Sequence, residues 1–149
     1  MIVAQPPLDL SVDEYRRLAE FRYQIRRFLQ FSEQAARDAG LEPQQHQLLL
    51  AVRGLPSGLQ PTIGELAKRL LLRHHSTVEL VDRLEQLGAV RREPDPEDGR
   101  AVLVRLTRKG EALLHRLTVA HREELDANGP ELARAIGGVL RRQRKAKSA

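Results

Sequence analysis

The chain contains no cysteine and no tryptophan, and its only aromatic residues are two Tyr and three Phe. Without thiols there is no disulfide framework, no thiolate metal site and no cysteine redox switch. The lack of cysteine also suits a reducing cytoplasm, which is the expected location. With so few aromatic rings, the core has to be built from Leu, Val, Ala and Ile. No apolar run reaches the ~20 residues that span a bilayer, so no membrane partner is expected. Met1 to Leu10 carry two prolines, an early Asp9 and no basic stretch, so no secretory leader is expected either. A phosphate-binding glycine loop, an HExxH pair and a nucleophile elbow are all missing. The expectation is a protein that is not an enzyme, with no catalytic residue, no cofactor and no metal.

What is present is a chain of 149 residues, 41% apolar and 30% charged, with a formal net charge of +5. That length suits a single domain, 1–149, with a real core. A basic chain invites a nucleic-acid reading, but the charge has to be located first. Between Thr62 and Gly110 there are 10 Lys+Arg against 8 Asp+Glu, whereas Glu131 to Ala149 holds 6 against 1. The terminal stretch alone therefore equals the whole net excess, and any case for the middle of the chain must come from pattern.

The first long element runs from about Val12 to Ala39, with Leu18, Phe21, Ile25, Phe28, Leu29, Ala35 and Ala36 at helical spacing. Ser11 with Glu14 forms a capping-box start, and Gly40 a stop. A helix of ~28 residues would be ~42 Å long, which suggests an element that reaches a partner subunit. Pro43 opens a second helix through about Val52, and Gly54, Pro56, Gly58 and Pro61 mark a loop. Thr62 with Glu65 caps a third helix that buries Ile63, Leu66, Ala67 and Leu70. After a turn around Leu71 to His74, a fourth helix covers about His75 to Leu87 and closes at Gly88.

Past Gly88 the period changes. Ala89 to Glu93 reads as an extended run, Pro94 to Gly99 as dense turn chemistry, and Ala101 to Leu106 as a returning strand rich in β-branched residues. Thr107 caps a fifth helix from about Arg108 to Ala127. Asn128-Gly129-Pro130 is expected to break it, leaving a last helix that carries Leu132, Ala135, Ile136, Val139 and Leu140. The fold class is therefore mainly α with a small β-hairpin: a winged helix-turn-helix (43–110) flanked by helices at 12–39 and 108–145.

On a wheel of 100° per residue, Thr77, Val78, Leu80, Val81, Leu84 and Leu87 share one half of the fourth helix. His75, Ser76, Glu79, Asp82, Arg83 and Gln86 gather opposite. One side docks on the domain and the other is polar, as on any surface helix. His74 and His75 do not make a metal site, because adjacent residues diverge by ~100°. His46, His115 and His121 are scattered over helices as packing or surface residues, with His46 or His115 as candidates to line a ligand pocket.

The run from Ile63 to Gly110 resembles the MarR family of transcriptional regulators. The matching residues are Glu65-Leu66-Ala67, Leu70, Ser76-Thr77-Val78, Leu80 to Glu85, Leu87-Gly88, Arg91-Arg92, Asp95 to Arg100 and Leu106 to Gly110. The flanking helices extend the likeness over most of the chain. The resemblance implies a sequence-specific DNA-binding regulator, a repressor released by a small aromatic or phenolic ligand. It also implies a homodimer on a pseudo-palindromic duplex, with 12–39 and 108–145 as a helical dimerisation layer, a recognition helix in each major groove and a hairpin at each minor groove. The DNA-binding residues implied are Arg73, His74, His75, Ser76, Thr77, Glu79, Arg83, Asp98 and Arg100. Ser76 and Thr77 near a helix start suit phosphate. Arg83 can fork onto guanine or phosphate, and Asp98 can hold the wing tip or the Arg100 side chain. Two positions depart from the family pattern: Leu71 stands where a small residue such as Gly is common, and Gly99 where many members carry a second Arg. The plainer alternatives are helix capping for Ser76 and Thr77, and ion pairs with Asp82, Glu79, Asp98 or Glu97 for Arg83 and Arg100. A winged helix that contacts only proteins is the alternative function.

Overall fold

The computed structural model describes the backbone of residues 9–148 and the side chains of residues 9–141. The N-terminal residues on which the leader was judged, and the side chains of the basic stretch after Arg141, lie outside the described residues. The order is α1 (Val12–Asp38), α2 (Pro43–Arg53), α3 (Ile63–Leu70), α4 (His74–Gln86), β1 (Val90–Pro94), β2 (Val102–Leu106) and α5 (Arg108–Ser148).

Local chemistry sets most of these boundaries. Glu14 reaches back to the Ser11 N–H at 3.2 Å, and α1 ends where Gly40 takes a φ of +82°. Pro43 opens α2, where its missing N–H is no loss, and the Gln45 side chain accepts from the Glu42 N–H at 2.8 Å. Thr62 caps α3 by accepting from the Glu65 N–H at 3.1 Å, while the Glu65 carboxylate turns to Arg69 at 3.6 Å. Between α3 and α4 stands Leu71, at φ 55° and ψ 39°. This left-handed conformation costs a non-glycine residue about 1–2 kcal/mol. Leu71 thus holds a conformation that glycine would take without strain.

β1 and β2 pair antiparallel from Val90↔Leu106 to Pro94↔Val102. The hairpin is held to the start of α3, because the Val104 N–H donates to the Pro61 carbonyl at 2.9 Å and Thr62 bridges Leu103. Thr107 joins hairpin to helix. Its hydroxyl donates to the Gly88 carbonyl at 2.6 Å and accepts from the Gly110 N–H at 3.1 Å. Gly110 has to be glycine: a Cβ there would run into the Ala89 carbonyl.

One expectation is corrected. The helix does not break at Asn128-Gly129-Pro130, because α5 runs unbroken through them as a single element of 41 residues with Pro130 inside. A proline removes one hydrogen bond from the ladder, a local cost that a long helix can absorb without ending.

The chain divides into two compact units, residues 1–31 with 122–149, and residues 32–121. The winged unit, 32–121, has a dense core in which Leu41, Leu48, Leu49, Leu66, Val81, Leu84, Val90, Val104, Leu114 and Leu117 are almost wholly buried. Each such side chain contributes about 1.5–3 kcal/mol. The helical unit is built from the first part of α1 and the last part of α5, joined by Arg27 and Glu131 at 2.9 Å. It buries Gln24 and Ala135 but leaves Val12, Tyr15, Leu18, Tyr23, Leu29, Leu125, Ile136 and Leu140 exposed. No helix of the described residues is long and apolar enough to cross a membrane.

Candidate nucleic-acid interface

α4 starts at Arg73, whose extended backbone (φ −70°, ψ 154°) turns the chain into the helix. The Arg73 carbonyl receives two bonds from one residue, the Thr77 N–H at 3.1 Å and the Thr77 hydroxyl at 3.0 Å. Thr77 is 0% exposed and docks with Leu80, Val81 and Leu84. Its inclusion among the DNA-binding residues is therefore corrected: its hydroxyl is satisfied inside the protein, on the side of the helix where the wheel had placed it. Ser76 is half-buried, and His74, His75, Glu79 and Arg83 are exposed.

The polar face of α4 is tied to the wing by Arg92. One guanidinium nitrogen reaches Asp82 at 2.6 Å and another reaches Glu85 at 3.3 Å. Arg92 follows buried Val90 at a spacing of two, on the same face of the strand. That alternation was the available sign that this arginine turns toward the protein. Next along β1, Glu93 is bonded by Arg105 at 2.8 Å and by Arg91 at 3.3 Å. The Arg105 hydrogen bond, with the charges of Arg105 and Arg91, holds its carboxyl below the usual carboxylate range.

The wing tip is ordered by its own aspartates. Asp95 Oδ1 accepts from the Glu97 N–H at 2.9 Å, and Asp98 Oδ1 accepts from the Arg100 N–H at 3.1 Å. The Asp98 carbonyl takes the Ala101 N–H at 3.0 Å. Of the two roles expected of Asp98, the structure assigns the turn: it holds backbone and does not pair with the Arg100 side chain. Asp98 is exposed and shapes the tip through one carboxylate oxygen.

The cations of this unit fall into two sets. Arg69, Arg91, Arg92 and Arg105 are held by carboxylates, and Lys109 donates to the Leu87 carbonyl at 2.8 Å. Arg73, Arg83 and Arg100, with Lys68 of α3, are exposed and make no ion pair among the described residues. The ion pairs of Arg83 with Asp82 or Glu79, and of Arg100 with Asp98 or Glu97, do not form. Lys68 was not anticipated, since an exposed lysine on a short helix carries no signal of its own. Arg37 on α1 and Arg108 and Arg116 on α5 are likewise exposed without an ion pair among the described residues. The cations at the start and outer face of α4 and at the hairpin tip, however, lie on the elements that would meet a duplex, where they suit phosphate and base edges. Among the described residues no group of three or more His, Asp or Glu is placed to hold a metal.

Residues 39–101 match the model of the MarR family. The HTH-type transcriptional regulator YkoM of Bacillus subtilis (strain 168) is 33% identical over 124 residues, covering 80% of this chain and 73% of the relative. The chain belongs to the MarR family. The MarR family transcription regulator SP03579 shares the fold, with a TM-score of 0.70 over 90% of each chain at 19% identity. CouR from Rhodococcus jostii RHA1, solved bound to p-coumaroyl-CoA, has a TM-score of 0.58 and 26% identity, covering 66% of this chain and 67% of CouR. This MarR-family member is accordingly a DNA-binding transcriptional regulator with a winged helix-turn-helix, and the relatives it matches are named as HTH-type transcriptional regulators.

Proposed function

We propose that the chain acts in the cytoplasm as a homodimer on a pseudo-palindromic duplex, and that it represses until a small ligand releases it. α4 would enter the major groove and the hairpin tip the adjacent minor groove. The observation that carries this reading is the contrast among arginines: Arg92 is held by two carboxylates, while Arg73, Arg83 and Arg100 point out unpaired. His74, His75, Ser76 and Glu79 complete the contact surface, with Arg83 on guanine or phosphate and Arg100 on the minor groove. A two-fold dimer must hold its two recognition helices about one helical turn apart, ~34 Å, so a ligand that changes this spacing abolishes binding. Ligand binding by CouR supports a small aromatic or phenolic effector here.

Arg100→Ala, titrated by fluorescence anisotropy against a duplex from the gene's own upstream region, tests the assignment. Binding should weaken about tenfold across sequences, and the salt slope should fall by about one, with the dimer intact. Unchanged affinity would remove the wing from the interface. A winged helix that contacts only proteins would bind no duplex above background at any salt concentration.

A further inference from the structure

The winged unit holds a buried polar cluster for which DNA contact has no use. His46 of α2 is 3% exposed, and its Nδ1 has no hydrogen-bond partner. Its ring lies 4.9 Å from that of His121 on α5, centroid to centroid, with the planes 39° apart. His121 is engaged at both nitrogens, Nδ1 with the Leu117 carbonyl at 2.6 Å and Nε2 with the Ser32 hydroxyl at 2.7 Å. A carbonyl only accepts, so Nδ1 carries the proton, and in the neutral ring Nε2 accepts from Ser32. Ser32, on α1, is itself 5% exposed. Three helices therefore meet at this cluster, and one of them, α2, also packs on α3 and α4.

The charge that acts on His46 is that of another ring. From α5 the titratable group acting on His46 is His121, whose charge opposes a second one. From α1 the neighbour is Ser32, which is uncharged. Glu33 and Arg37 on α1, Glu42 on α2, and Arg116 and Arg122 on α5 are exposed to solvent, while the Glu124 carboxylate accepts from Asn128. Burial first, and then the charge of His121, push His46 down to about 4.

We propose that His46, His121 and Ser32 form a proton-operated latch: proton uptake by the ring pair frees α2 from α1 and α5 and, through α3 and α4, withdraws the recognition helix from DNA in acid. Only the last step rests on the DNA-contact reading above. The sign follows from the lowered value of His46 in the packed state. Its stabilising contribution is complete above the ordinary value of 6.5 and is lost as pH falls toward about 4. If the opened state titrates ordinarily, the ratio of opened to packed forms rises about 30-fold between pH 7.5 and 5.0.

Hydrogen exchange on the full chain reads this directly. Protection of the α2 amides, corrected for intrinsic exchange, should fall by up to about 30-fold over that range, and His46→Leu should abolish the fall. Equal dependence in the two proteins would overturn the latch. If His46→Leu does not fold, His121→Gln removes the opposing charge and should shrink the dependence, and an unchanged one is equally fatal. DNA affinity is measured in parallel in a His74→Gln/His75→Gln background, because those two exposed rings belong to the proposed contact surface. Affinity for the upstream duplex should fall in acid with His46 present and hold steady once His46→Leu is added. Lost protection with constant affinity would overturn the coupling to DNA. An unsubstituted chain that binds no duplex even at pH 7.5 would instead defeat the DNA-contact reading, and the exchange result alone would decide the latch.

Discussion

The two compact units treat apolar side chains in opposite ways. In the winged unit most of the large ones are enclosed, and Leu48, Leu49, Leu66, Val81, Leu84 and Val104 are 0% exposed, while Leu50, Leu59, Leu71 and Val102 stay open to solvent. In the helical unit Leu18 is 53% and Tyr15 62% exposed, and Ala135 is the only apolar side chain it buries among the described residues. The winged unit closes its own core, whereas the helical unit presents an apolar face to water. Exposed apolar residues on this scale mark an interaction surface, and the proposed homodimer would cover it. The difference separates the residues that make the fold from those that would make the assembly.

The largest effect is expected from breaking the open face. Leu18→Glu combined with Ile136→Glu should convert the dimer to monomer in sedimentation, with the winged unit still folded by circular dichroism. DNA affinity should drop about 100-fold or more, because two linked half-site contacts become independent. A dimer that survives both charges would place its interface elsewhere. Breaking the closed core comes next. Gly110→Ala drives a methyl group into the Ala89 carbonyl and should destabilise the protein by about 2–3 kcal/mol. Calorimetry should register this as a fall in Tm of about 10 °C or more. The smallest effect sharpens the comparison at an exception, since Leu71 belongs to the closed unit yet is 92% exposed. Leu71→Gly relieves the left-handed backbone and should raise stability by about 0.5–1 kcal/mol in a denaturant titration. A loss of stability would mean that the Leu71 side chain makes a contact the exposed conformation does not record.

Much of this was legible in the sequence because it depends on neighbours along the chain. Thr62 as the cap of α3, Gly40 after α1, Pro43 at the start of α2 and the turn chemistry before Gly99 each act over three or four residues and hold, although Glu65 turns to Arg69 and leaves the expected capping box half formed. The docking half of α4 was legible too, and the correction at Thr77 follows it. A family motif suggested contact, but the 3.6-residue period had already turned Thr77 inward. Pro130 shows the opposite error. A local breaker was read as decisive, although a long helix tolerates one lost bond.

The sequence by itself determined the winged helix-turn-helix, its family and the absence of thiol chemistry, since these rest on residue types and short spacings. Only the tertiary structure decided which cations are free. Arg92 meets Asp82 across 10 residues and Glu93 meets Arg105 across 12, so strand alternation could turn Arg92 inward but could not show which carboxylates would hold it. It also brought His46 to His121 and Ser32, which stand far apart along the chain. A charge or a ring acquires its chemistry from what faces it, and what faces it is set by packing between elements, not by position within one.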